Sequence, residues 1–206
     1  MPTAKTARQP RKEAKQVRAV RTVDGILKAA ARILKRDGPA KLTTNHIAQE
    51  ANLSVGSIYQ YFPNKEAILI KLMSLQLEQA MAVRPLELDQ TSTLEEHVRA
   101  AVRWHLQVRQ KDPQLFQRLA EIQQDVLTHE ERVWFEAYHQ SFVRRGLEKY
   151  AADICIQDLD TACLVVSHFI LAATQSATAS DPSLIGNRSY EAEIVAGLLA
   201  YLTGGR

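Results

Sequence analysis

The stretch "LTTNHIAQEANLSVGSIYQYFPNKEAIL", residues 42–69, decides how the rest of the chain is read. Thr43 or Thr44 can cap a short helix over 44–51, with Ile47 and Ala48 turned inward. Asn52 tolerates the left-handed backbone that a tight turn requires, and Ser54 is a good cap for a second helix starting at Val55. At about 100° per residue, Val55, Ile58 and Phe62 share one face of that helix. Gly56, Ser57, Gln60 and Tyr61 project from the other, and Tyr59 lies at the border. A helix this short has no stability of its own, so one side packs and the other is on offer. The glycine removes bulk where another surface must come close, and hydroxyls with an amide suit phosphate oxygens and base edges in a major groove. Pro63 ends the element, and Lys65 opens the next helix within reach of the same surface.

Working outward, the chain of 206 residues is 46% hydrophobic, enough for real cores in one large or two small domains. Apolar residues recur with helical spacing almost throughout, with breaks at Gly38-Pro39, Pro63, Pro85, Asp112-Pro113 and Asp181-Pro182 and no strand pattern, which predicts an all-α protein. From about Arg21 to Asp37, Val23, Ile26, Leu27, Ala30, Ile33 and Leu34 define a first amphipathic helix that Gly38 terminates. Ahead of it, residues 1–18 lack a sustained apolar face and read as a disordered basic arm.

The net charge of +3 hides an asymmetry. Residues 1–65 hold 13 Lys and Arg against 4 Asp and Glu, whereas residues 66–206 hold 13 against 19. A basic N-terminal third can neutralise phosphates and release counterions from a polyanion. Charge alone also fits a solvated tail carrying incidental lysines.

The quoted segment resembles the helix-turn-helix of the tetracycline-repressor (TetR) family. The likeness rests on the Thr that opens the second helix, the Ile-Ala pair, the turn, Gly-Ser-Ile-Tyr-x-Tyr-Phe and the following Asn-Lys-Glu; "VDGILKAAARILKRDG" fits the preceding helix. Asn52 stands where the family usually has Gly, and Gly25 is a second departure that loosens the first helix. The resemblance implies phosphate contacts from Thr43 or Thr44, Ser57, Tyr59, Tyr61 and Lys65, with base readout from Asn45, Gly56 and Gln60. An alternative for the two tyrosines is packing within the three-helix core. Gln60 can make a bidentate pair with adenine worth roughly 1–3 kcal/mol of discrimination. Arg8, Arg11, Lys12, Lys15 and Arg18 of the arm either reach a minor groove or stay solvated.

These readings divide the chain into the arm at 1–18, a helix-turn-helix DNA-binding domain at 19–64 and an effector-binding and dimerisation bundle at 65–206. Helices are expected at roughly 65–83, 92–111, 113–127, 129–151, 158–180 and 189–203. The uncharged run 161–180, interrupted by His168 and Gln175, is expected to be a buried helix rather than a membrane span. By family analogy the last two helices form the dimer interface, with Phe169, Ala173, Ala177, Leu198 and Leu202 as candidates; packing within one subunit is the alternative. Trp104, His105, Phe116, Trp134, Tyr138, Phe142 and His168 are candidates for a pocket taking an apolar or aromatic effector.

The function expected is a dimeric, cytoplasmic regulator, most simply a repressor that a small molecule releases from palindromic double-stranded DNA. The alternative is a DNA-binding architectural protein on the same fold without an effector. Two cysteines, Cys155 and Cys163, give neither a disulfide framework nor a zinc site, so no metal or cofactor is expected. Nor does the sequence carry a catalytic signature: an enzyme would have to rely on Glu121, His105 and His168 without any local motif.

Overall fold

A computed structural model of the chain describes residues 11–82, 91 and 93–205. Among the described residues all regular structure is helical. The elements are α1 (Arg11–Asp37), α2 (Thr44–Glu50), α3 (Val55–Tyr59), α4 (Lys65–Ala82), α5 (Leu94–Gln110), α6 (Pro113–Val126), α7 (His129–Lys149), α8 (Leu159–Ser180) and α9 (Arg188–Thr203). They form two compact units, one up to Leu72 and one from Met73.

In the first unit, α1 starts at Arg11 instead of near Arg21, which corrects the expectation of a disordered arm over 11–18. Arg, Lys, Glu, Ala and Gln are strong helix formers, so propensity extends the helix where no apolar face demands it. Residues 1–10, with Arg8, lie outside the described residues. α1 runs through Gly25 without a break and stops at Gly38, whose φ of 78° lies in the left-handed region. Ile26, Ile33 and Leu34 of α1 are fully buried, as are Ile47 of α2 and Ile58 of α3. Ile68, Leu69 and Leu72 of α4 are also buried in this unit, so its boundary falls near Leu72 and not at 64. Glu50 ties α2 to α1: it accepts from Arg32 Nε at 2.7 Å and pairs with Arg36 at 3.2 Å. Those hydrogen bonds, Arg32's first, hold the Glu50 carboxyl below its ordinary pKa.

In the second unit, α5 packs on both α8 and α9, while α6 and α7 pack on α8. The core includes Val98, Val102 and Leu106 of α5, Val166 and Ile170 of α8, and Ile194, Leu198 and Leu202 of α9. Side chains fix the helix starts: Thr93 with Glu96 and Thr128 with Glu131 form reciprocal capping boxes, and Asp112 and Asn187 cap α6 and α9. Gly146 lets α7 approach α5, since a Cβ there would stand 2.5 Å from His97 Nε2. Each of these helices begins and ends within two residues of the sequence expectation where the ends are described.

The segment Leu159–Ala177 is long and apolar enough to cross a membrane by length and composition. It is not the wholly buried helix expected: Ala162, Cys163, Val166 and Ile170 face the core, whereas Leu164, Val165 and Phe169 are 44%, 39% and 43% exposed.

Candidate functional site

The turn between α2 and α3 brings two of the candidates for DNA contact, Thr44 and Tyr59, side by side. Thr43 Oγ1 accepts from His46 N at 3.1 Å and so caps α2, leaving Thr44 free for another role. Leu53 N donates to Ala48 O at 2.8 Å, and Asn52 takes φ 55°. Ser54 Oγ accepts from Ser57 N at 3.1 Å and lies 2.8 Å from Ser57 Oγ, capping α3. α3 ends at Tyr59, a turn earlier than its apolar spacing suggests, because Pro63 disfavours helical backbone at Phe62.

Ile58 and Phe62 fill the core, and the remaining aromatics point out: Tyr59 is 55% exposed and Tyr61 37%. Neither tyrosine is a buried core residue. The Tyr59 hydroxyl lies 3.5 Å from that of Thr44, which sets the ring across the α2–α3 angle. Thr43, Asn45, Gly56, Gln60 and Lys65 are all exposed. Asn64 accepts from Ala67 N at 2.8 Å, fixing the start of α4 where Lys65 stands. A Cβ on Gly56 would meet only Ser54 Oγ at 3.8 Å, so the protein's own packing does not require a glycine there.

The second candidate site is a cavity of about 400 Å³ in the C-terminal unit. Its wall includes Leu77 and Ala80 from α4, Trp104, His105 and Arg109 from α5, Phe116 and Leu119 from α6, and Phe135 and His139 from α7. Trp104 is oriented by a hydrogen bond from Nε1 to Ala80 O at 3.3 Å. His105 and His139 meet Nε2 to Nε2 at 3.3 Å, so one ring donates and the other accepts. Burial, reinforced by the neighbouring cations, pushes the His139 pKa down to about 4 and that of His105 well below its ordinary value. Both rings are neutral at neutral pH. His139 Nδ1 is buried without a hydrogen-bond partner among the described residues.

Of the residues expected at an effector pocket, Trp104, His105 and Phe116 line this cavity. Trp134, Tyr138 and His168 are not on its wall. Trp134 is 55% exposed and stacks on Tyr138, with centroids 5.4 Å apart. Exposed His168 bonds through Nδ1 to Leu164 O at 2.8 Å. Phe142 lines a separate space of about 60 Å³. The reason is helical phase: on α7 the stripe 135, 139, 142 turns inward, while 134 lies about 100° and 138 about 60° from Phe135 around the helix. Phe135, His139 and Arg109 were the residues to find, and the 135/139/142 spacing was the available signal.

The dimer candidates divide similarly. Ala177, Leu198 and Leu202 are 0%, 2% and 1% exposed, buried within their own subunit, and Ala173 packs against the same core. They are not available to a partner. Phe169 is, together with Leu164 and Val165.

A short, exposed recognition helix capped by hydroxyls and braced by two helices defines a helix-turn-helix DNA-binding protein. Residues 26–72 match the profile of the bacterial regulatory proteins of the tetR family. The fatty acid metabolism regulator protein of Bacillus subtilis (strain 168) is 25% identical over 138 residues, which span 60% of this chain and 71% of that one. A TetR-family transcriptional regulator from Haemophilus influenzae shares the fold with a TM-score of 0.64 and 19% identity, covering 90% of this chain and 98% of that one. So does RolR, solved with resorcinol, with a TM-score of 0.60, 18% identity, and 90% and 89% of the two chains covered. Residues 26–72 thus form the helix-turn-helix DNA-binding domain of the tetR family of bacterial regulatory proteins, and the whole chain shares the fold of solved TetR-family regulators.

Proposed function

We propose that this regulator is a homodimeric, cytoplasmic repressor that leaves a palindromic operator when a small, largely apolar molecule enters its C-terminal cavity. The observation that carries the reading is that cavity: a bundle serving only as a scaffold has no reason to keep about 400 Å³ open among Trp104, Phe116 and Phe135. RolR holds a small aromatic ligand, and the Bacillus subtilis relative is named for fatty acid metabolism; both are in keeping with an apolar effector here. The exposed Leu164, Val165 and Phe169 of α8 supply the dimer surface, which is more apolar than a lone helix keeps toward water.

On the DNA, Thr44, Ser57, Tyr59, Tyr61 and Lys65 hold phosphates, while Asn45, Gln60 and the bare backbone of Gly56 meet base edges. α4 is the lever. Its first turns complete the N-terminal core, and Met73, Gln76, Leu77 and Ala80 further along line the cavity. A ligand that prefers one position of this helix shifts the population of dimers away from the half-site spacing of about 34–36 Å that successive major grooves require.

The test is to select genomic fragments bound by the purified protein near physiological salt, sequence them and measure stoichiometry on the best one. An inverted repeat occupied by one or two dimers supports the reading. Enrichment without a motif, lost as salt rises, favours an architectural protein instead.

A further inference from the structure

The cavity contains one feature that an apolar ligand leaves unanswered, the guanidinium of Arg109. Arg109 sits in the last turn of α5 with its Cζ 5.9 Å from the centroid of the Phe116 ring, a weak cation–π contact. Among the described residues it has no carboxylate partner. Burial lowers its pKa to about 10, and no neighbouring negative charge raises it again. It stays protonated at neutral pH. Arg109 is only partly exposed, and apart from the Phe116 ring its guanidinium faces the open space of the cavity, where an unpaired charge is costly.

The rest of the wall limits which anion can answer it. Two carboxylates also line the cavity, Glu121, paired with Arg118 at 3.0 Å, and the exposed Glu136. His105 and His139 are neutral and add no positive charge. A single fork-shaped cation facing this set compensates one negative charge and not two. Planar, bidentate geometry further favours a carboxylate. At about 30 Å³ per non-hydrogen atom, the share of a water molecule in the liquid, about 400 Å³ holds on the order of a dozen such atoms.

Building on the effector reading above, we propose that the cavity binds a monocarboxylate of on the order of a dozen non-hydrogen atoms, its apolar body among Trp104, Phe116 and Phe135 and its carboxylate gripped by Arg109. The ligand is thus amphipathic, with one charged end.

The experiment uses the full-length protein and four matched probes below their aggregation limits: decanoate, decanol, decyl phosphate and 4-phenylbutyrate. Binding is followed calorimetrically, and affinity for the selected operator by fluorescence anisotropy. The expected result is that decanoate or 4-phenylbutyrate binds about ten- to a hundredfold more tightly than decanol, the effect of a charge-assisted contact. Arg109→Gln should erase that preference while decanol binding persists, and Arg109→Lys should restore part of it. Equal or tighter binding of decanol or decyl phosphate overturns the monocarboxylate, as does no binding of any probe or an unchanged preference in Arg109→Gln. Carboxylate-selective binding that leaves operator affinity unchanged upholds the site and instead refutes the release mechanism.

Discussion

Gly56 allows folding and DNA binding to be pulled apart by one methyl group. An added Cβ meets only Ser54 Oγ at 3.8 Å, an ordinary contact, and the backbone at 56 is helical. Gly56→Ala therefore removes chain entropy from the unfolded state without strain, and it should raise stability by about 0.5 kcal/mol, the low end for a first-turn position. Gly25→Ala is the matched control: nothing lies within 4 Å of its Cβ, it sits inside α1, and the gain should approach about 1 kcal/mol. On DNA the two must diverge. In the proposed complex a methyl group at 56 stands where the backbone of α3 approaches base edges, and losing one base contact costs about 1–3 kcal/mol, or roughly five- to 150-fold in affinity. Urea unfolding followed by circular dichroism gives the first quantity, and anisotropy of a labelled operator duplex gives the second. Both variants should be at least as stable as the parent, and only Gly56→Ala should lose the operator. Retained operator affinity in Gly56→Ala would refute the close approach, and a loss of stability would refute the described packing around α3.

Gln60→Ala should flatten base preference while keeping most nonspecific binding; equal losses on every sequence remove Gln60 from readout. Lys65→Ala should weaken all sequences alike and lower the slope of log K against log salt by about one unit, which titration at several salt concentrations measures. Because burial holds the folded pKa of His139 at about 4, below its unfolded value near 6.5, the unfolded state binds more protons between those values. The stability from keeping this ring neutral is present above about pH 6.5 and lost as pH falls toward about 4. His139→Gln should flatten the pH dependence of the urea midpoint in that window, and an unchanged profile counts against the buried neutral ring. Phe169→Glu places a charge on the outward face of α8 and should shift the protein toward monomer in sedimentation while leaving the subunit folded; an unmoved dimer places the interface elsewhere.

The helix-turn-helix was legible because its signals are local. A threonine cap, a left-handed Asn52, a serine cap and Pro63 each act over three or four residues, and their order fixes the angle between α2 and α3. Non-local packing was not legible in the same way. Periodicity showed that Leu198 and Leu202 lie on a buried face but not against what, and the answer was their own subunit. Trp134 and Tyr138 are as aromatic as Phe135, and only the phase of α7 against the wall decides which ring enters the cavity. Arg109 escaped the sequence reading because charged side chains at a helix end ordinarily face water, whereas its place on the cavity wall beside Phe116 depends on a neighbouring helix. Residues 11–18 were misjudged because an apolar face was demanded of a segment that propensity alone makes helical.

Residues 53–62, through which α3 runs, contain no charged side chain at all. Nearby cations on α1 are partly spoken for, with Arg32 and Arg36 on Glu50 and Lys28 on Asp24 at 2.7 Å. In the proposed complex the groups that tell one sequence from another are therefore neutral dipoles, and the ionic grip comes from elsewhere on the surface. On that reading ionic strength should set how long the protein dwells on a duplex but not which duplex it chooses: lines of log K against log salt for operator and random DNA should run parallel, so that the preference between them survives changes in the cell's osmotic state.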